Sequence, residues 1–160
     1  MTQILQKRPA AITLRAGSLA KQHIQQEGLS AHQVDMIPGA AGGPKGIGLM
    51  GLDQAIFGDF LQRAKQRRFL IGSSVGAWRF AGIIAQGEKL GPEKLAELYI
   101  NLPFHKKMKI AEIEKISREM LYSILDQHSQ KLVEHPEYHL TIIAAKAEHL
   151  FQSDQKLALY

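Results

Sequence analysis

Gly72-Ser73-Ser74-Val75-Gly76 sets a serine between two flanking glycines, each separated from it by one residue. A serine hydroxyl held on a sharp turn between a strand and a helix can attack an acyl carbonyl, and that turn forces unusual backbone angles on the serine. Glycines on either side let strand and helix close up without a Cβ clash. The amino end of the following helix would present N–H groups where negative charge develops. Ser74 is therefore the candidate nucleophile, with Gly72, Val75 and Gly76 completing its elbow. A second cluster, Gly42-Gly43-Pro44-Lys45-Gly46, suits the other need of acyl transfer, N–H donors aimed at the tetrahedral oxyanion. Gly42, Gly43, Lys45 and Gly46 each offer a donor, whereas Pro44 has none. The Lys45 charge is placed to hold the loop or steer an anionic head group.

Both clusters need a strand before them and a helix after them. Val34–Pro38 is a short apolar run ending in turn formers, which predicts a buried strand. After the first glycine turn, Leu49, Leu52, Ile56 and Phe60 recur at helical spacing. Phe69-Leu70-Ile71 reads as a second strand, leading into the Ser74 turn and an apolar helix through Ala85. Repeated strand–turn–helix units imply parallel strands covered by helices, an α/β fold. Ahead of them a helix is expected over Ser18–Gln26, closed by Gly28. Beyond them come a helix from Pro92 to Leu102, and another with the apolar stripe Ile113, Met120, Leu121, Ile124, Leu125 and Leu132. A third strand is expected over His139–Ala145. A doubly wound sheet ordinarily has five or so strands, so this one reads as unfinished.

The two turns, Gly42-Gly43-Pro44-Lys45-Gly46-Ile47 and Ile71-Gly72-Ser73-Ser74-Val75-Gly76-Ala77, together resemble the patatin-like phospholipase family. The resemblance covers the stretch from residue 34 to 85. It implies a three-layer α/β/α fold with a mostly parallel sheet, and hydrolysis of phospholipid or neutral-lipid acyl esters by a Ser-Asp dyad without histidine. It gives Ser74 the nucleophile's role and the Gly42–Gly46 loop that of the oxyanion hole. The family loop begins Asp-Gly-Gly-Gly, whereas Ala40 and Ala41 precede Gly42 and Gly43 here. The family's catalytic aspartate is followed directly by glycine, and none of Asp35, Asp53, Asp59, Asp126 or Asp154 is. The expectation is a single domain over residues 1–160, the N-terminal portion of a patatin-like domain ending before its aspartate. The alternative is a catalytically inert version acting in binding or oligomerisation.

Composition narrows the field. A chain of 160 residues that is 45% hydrophobic and 22% charged reads as one globular domain. It has no cysteine, which excludes disulfides, thiolate metal sites and a thiol nucleophile and fits a reducing cytoplasm. No apolar run approaches the roughly 20 residues of a membrane span, and Arg15 cuts short the only signal-like stretch. The net charge of +5 includes basic clusters at Arg63, Lys65, Arg67 and Arg68 and at Lys106, Lys107 and Lys109. These are read as solvated helix ends, with peripheral contact to an anionic membrane surface as the functional version. Aromatics do not interleave with them, so nucleic acid is not an expected partner.

Gly46-Ile47-Gly48-Leu49-Met50-Gly51 matches a dinucleotide-binding pattern, but no acidic residue follows at the ribose position, where Arg67-Arg68-Phe69 stands. A glycine face packed on the sheet is the better reading. Lys45 is followed by Gly46, which fails a phosphate-binding Walker loop. His135 and His139 are interrupted by Pro136, which argues against a metal site, and no cofactor is expected. His128, Trp78 and Phe80 are read as packing residues.

Overall fold

A computed structural model of the chain describes residues 12–103, 105 and 108–146. The chain divides into two compact units, Met1–Ser30 and Ala31–Tyr160. In the first, α1 (Ser18–Glu27) ends at Gly28, which has φ 80° and donates its N–H to the Ile24 carbonyl at 2.9 Å. None of the residues of α1 is buried.

The second unit is α/β. Its strands β1 (Met36–Gly39), β2 (Arg68–Ser73) and β3 (Tyr138–Ile143) form a parallel sheet in the order β1-β2-β3. The first crossover runs through a 3-10 helix (Gly43–Leu49), α2 (Met50–Ala55), a π-helical turn (Ile56–Phe60) and a last 3-10 turn (Leu61–Arg63). The second passes through α3 (Val75–Gln86), α4 (Leu90–Ile100), α5 (Ile110–Leu125) and the short α6 (Lys131–Glu134).

Strand alternation decides which residues meet the helices. The register aligns Ile37, Leu70 and Leu140 on one face, and Leu70 there is 0% exposed. Phe57 and Phe80 pack on that face with ring centres 5.9 Å apart, and Phe57 meets Tyr138 edge-on at 5.7 Å. Burial pushes the Tyr138 phenol up to about 12. The next register row, Met36, Phe69 and His139, belongs to the opposite face, where Met36 is 56% and Phe69 46% exposed. Further along β3, Ile143 on the same face is 58% exposed.

Three sequence expectations need correction. On the first crossover the buried row is Asp53, Phe57 and Leu61, while Leu49 and Leu52 face solvent and Ile56 and Phe60 are half-buried. A carboxylate in the middle of that row hid it from a hydrophobic reading. The glycine face holds only at Gly46, because a Cβ at Gly48 or Gly51 would meet nothing within 4 Å. The stripe on α5 keeps Met120 and Ile124 as its buried members, but Leu132 belongs to α6. The break comes at Asp126, whose φ of 50° reverses the chain. An aspartate there is strained by about 1–3 kcal/mol. Asp126→Gly is expected to gain about 1 kcal/mol after glycine's extra unfolded entropy, seen as a higher urea midpoint.

The basic cluster before β2 is largely paired within the molecule. Arg63 bridges Asp59 at 3.2 Å and Lys65 bridges Glu137 at 3.3 Å. Arg68 is 0% exposed and donates to the carbonyls of Ala31, Val34 and Ala64. Lys106 and Lys107 lie outside the described residues.

The entry to β3 depends on a histidine. His135 Nδ1 accepts the N–H groups of Glu137 at 3.1 Å and Tyr138 at 3.0 Å, and its ring stacks on Tyr138 at 4.9 Å. Protonating Nδ1 would remove both bonds. Burial, aided by Lys131 and His139, holds the imidazole below its ordinary pKa of 6.5, against the raising pull of Glu137 and Glu88. The folded state thus favours the neutral ring, a contribution fully present above pH 6.5 and lost as pH falls through the depressed folded value. The stability gap between the parent and His135→Ala, measured by urea unfolding, is expected to shrink on acidification below pH 6.5. A gap that stays constant would rule this out.

Candidate active site

The two candidate turns meet because of the register. Gly39 at the end of β1 pairs with Gly72 of β2, so both turns leave the carboxyl edge of adjacent parallel strands. That edge is where open α/β sheets bind ligands.

Ser74 follows β2 with φ 50° and ψ −127°, and α3 starts at the next residue. Among the described residues only Ser74 and Asp126 combine a side chain with positive φ. Such angles persist only where surrounding structure over-determines them. Here the flanking glycines do so: a Cβ on Gly72 would lie 2.4 Å from Ala77 Cα, and one on Gly76 would lie 2.1 Å from the Gly39 carbonyl oxygen. The elbow is wedged between its own helix and the end of β1. The Ser74 carbonyl accepts the N–H groups of Ala77 at 2.9 Å and Trp78 at 3.2 Å, closing the first turn of α3. The N–H of Val75 heads that helix, where first-turn donors have no intrahelical acceptor. Ser74 is exposed, Val75 and Gly76 are buried.

The oxyanion candidates occupy the neighbouring turn. Gly42 is exposed, Gly43 has φ 55°, and Gly46 is buried. A Cβ on Gly46 would lie 2.8 Å from Val75 Cγ2, so the loop rests directly on the elbow. The Lys45 N–H is turned to the Gly42 carbonyl at 3.3 Å, and Gly46 falls within the i→i+3 ladder of the 3-10 helix. The donors ahead of that ladder are Gly42 and Gly43, while the Lys45 and Gly46 N–H groups are turned into the helical ladder itself.

Among the described residues no side chain hydrogen-bonds the Ser74 hydroxyl. Asp35 accepts from Gln66, Asp53 from Arg79 and Asp59 from Arg63, while Asp126 lies past the end of α5. Asp154 is outside the described residues. A cavity of about 520 Å³ lined by Gln86, Glu88, Lys131 and His135 sits at the far end of α3, roughly 18 Å from Ser74 by helix rise. Trp78, one turn beyond Ser74, meets Tyr99 edge-on at 6.5 Å and packs on the cluster of Leu95, Met120 and Ile124. Burial raises the Tyr99 phenol above its usual value.

No family model matches the chain, and comparison with the curated proteins and with the solved structures returns no significant match.

Sequence reasoning missed one buried pair beside the site. Asp53 on α2 and Arg79 on α3 form a two-pronged ion pair with side chains 3% and 11% exposed. The available signal was an aspartate inside an apolar helical row and an arginine shortly after the elbow serine.

Proposed function

We propose that residues Ala31–Tyr160 carry the nucleophile and oxyanion parts of a serine acyl-ester hydrolase of the patatin-like, three-layer α/β/α type, acting on lipid or related acyl esters. One observation carries this reading: Ser74 holds φ 50° and ψ −127° on a strand-to-helix turn, with both flanking glycines in backbone contact. A plain glycine turn has no need to strain a serine.

In this mechanism Ser74 Oγ attacks the ester carbonyl carbon. The carbonyl oxygen takes the electron pair as the oxyanion and is held by the amides of Gly42, Gly43 and Val75. Collapse expels the alcohol, which takes up the serine's proton, and water then releases the acid from acyl-Ser74. In a patatin-like dyad the proton passes through an aspartate. The lack of cysteine supports action in the reducing cytoplasm.

The test is fluorophosphonate labelling read by intact mass. One adduct per chain is expected, falling at least ~100-fold in Ser74→Ala, which removes the attacking hydroxyl. Equal labelling of the variant would sink the assignment.

The open sheet face favours a second reading, a catalytically inert module that binds a partner or a second copy. It is motivated by Met36, Phe69 and Ile143 at 56%, 46% and 58% exposure. A folded chain that takes no label yet elutes as a dimer is its expected signature.

A further inference from the structure

We propose that the Asp53–Arg79 ion pair is the positioning element that sets the oxyanion loop in register against the nucleophile elbow. The proposal rests on the acyl-hydrolase reading for its catalytic meaning, and on the geometry of the pair for everything else.

Asp53 belongs to α2, which continues without a break from the 3-10 helix that starts at Gly43. Arg79 belongs to α3, which starts immediately after Ser74. Arg79 Nε donates to Asp53 Oδ2 at 2.7 Å and Nη2 donates to Oδ1, so the guanidinium grips both carboxylate oxygens. The pair therefore joins the helical segment that opens at Gly43 to the helix that opens directly after Ser74.

The surroundings leave the pair little freedom. It borders a gap of about 10 Å³ roofed by Gly46 and Ile47 of the loop and floored by Pro92, Leu95 and Ala96 of α4, close to the lower limit for holding one water. Arg79 Cδ would lie 3.5 Å from a Cβ on Gly46, directly beneath the loop. The guanidinium carbon also lies 5.8 Å from the centre of the Phe80 ring. That ring in turn fills the space over Gly39, where a Cβ would lie 2.6 Å from Phe80 Cε2. Asp53, Arg79, Phe80 and Gly39 thus form a continuous series from the loop's helix to the end of β1.

A buried ion pair is seldom the most stabilising choice, since well-packed apolar residues of similar volume often serve as well. What a fork of two bonds adds is direction, because it forms only with both groups coplanar and in one register. Apolar side chains in the same gap would let α2 slide along α3. Misplacing donors by about 1 Å can slow chemistry about 100-fold, so the pair acts through the loop without touching substrate.

The deciding experiment is amide hydrogen exchange by NMR on the parent, on Asp53→Leu/Arg79→Met, and on Arg79→Lys. The double variant keeps the gap filled; the lysine variant keeps the charge and loses the fork. Both are expected to exchange at least ~10-fold faster at Ile47, Gly48 and Leu49 and at Ala77 and Trp78, with Phe69, Leu70 and Ile71 of β2 unchanged. Parent-like exchange at the loop and elbow overturns the proposal, and so does acceleration spread equally over β2, which would mark a pair that only stabilises the fold. If the double variant does not fold, Arg79→Lys decides alone, and parent-like exchange there overturns the fork. Fluorophosphonate labelling of Ser74 is measured alongside and is expected to slow about 100-fold in both variants. A parent that takes no label removes the hydrolase reading while the exchange data still judge the pair.

Discussion

Gly76→Ala is expected to unfold the second unit or bring it close to unfolding at room temperature. The new Cβ would lie 2.1 Å from the Gly39 carbonyl oxygen, 2.4 Å from its carbon and 2.9 Å from the Ala40 oxygen. All three atoms are backbone at the end of a hydrogen-bonded strand, so no side-chain rotation relieves the overlap. Ordinary overpacking costs about 1–3 kcal/mol, and this collision is placed at about 4 kcal/mol or more, among the largest single-residue effects. Against a total stability of about 5–15 kcal/mol for a typical domain, that loss is most of the margin. Urea unfolding followed by circular dichroism checks it. Gly51→Ala is the matched control, since a Cβ there meets nothing within 4 Å, and it should gain about 0.5–1 kcal/mol from helix propensity. A Gly76→Ala protein with the parent's midpoint would mean that α3 does not abut the end of β1.

The second large effect belongs to Arg79→Leu. It strands the Asp53 carboxylate, whose side chain is 3% exposed, without its partner, and losing one member of a buried pair costs about 3–5 kcal/mol. Asp53→Leu/Arg79→Met should recover most of that loss, because no buried charge is left behind. A double-mutant cycle on urea midpoints measures the coupling. Two independent, additive losses would show that the carboxylate is solvated when alone.

The sequence was most legible where local rules and packing agree. Strand, glycine turn and helix around Ser74 could be placed because the apolar run Phe69-Leu70-Ile71, the paired glycines and the apolar helix each state one element. Gly28 as a helix stop and Pro92 in a first helical turn were legible for the same reason, since each residue's backbone preference matches its position. The first crossover was not legible in detail. Two rows of residues fit helical spacing there, and the more hydrophobic one turns Leu49 and Leu52 to water and leaves Ile56 and Phe60 only half-buried. The row that is buried contains Asp53, and only the distant Arg79 makes that burial possible. Asp126 acts in the opposite sense: a left-handed aspartate leaves no mark in hydrophobic periodicity, so the α5 stripe reads on to Leu132. The Gly42–Gly46 loop is half legible: its glycines announce a turn, but the inward turning of the Lys45 N–H onto Gly42 is a property of the folded loop.

The sheet order β1-β2-β3 also bears on how the chain assembles. Each strand pairs with the next one to be synthesised, so no pairing waits for a strand to be inserted between two earlier ones. The β1–β2 pair, the crossover between them and α3 form one contiguous stretch, able to associate before α5 has left the ribosome. The elbow and the candidate oxyanion loop lie wholly within that stretch. Of the three described strands β3 is made last, at the far side of β2, and it brings Tyr138 against Phe57. Until then Phe57 lacks its edge-on partner Tyr138.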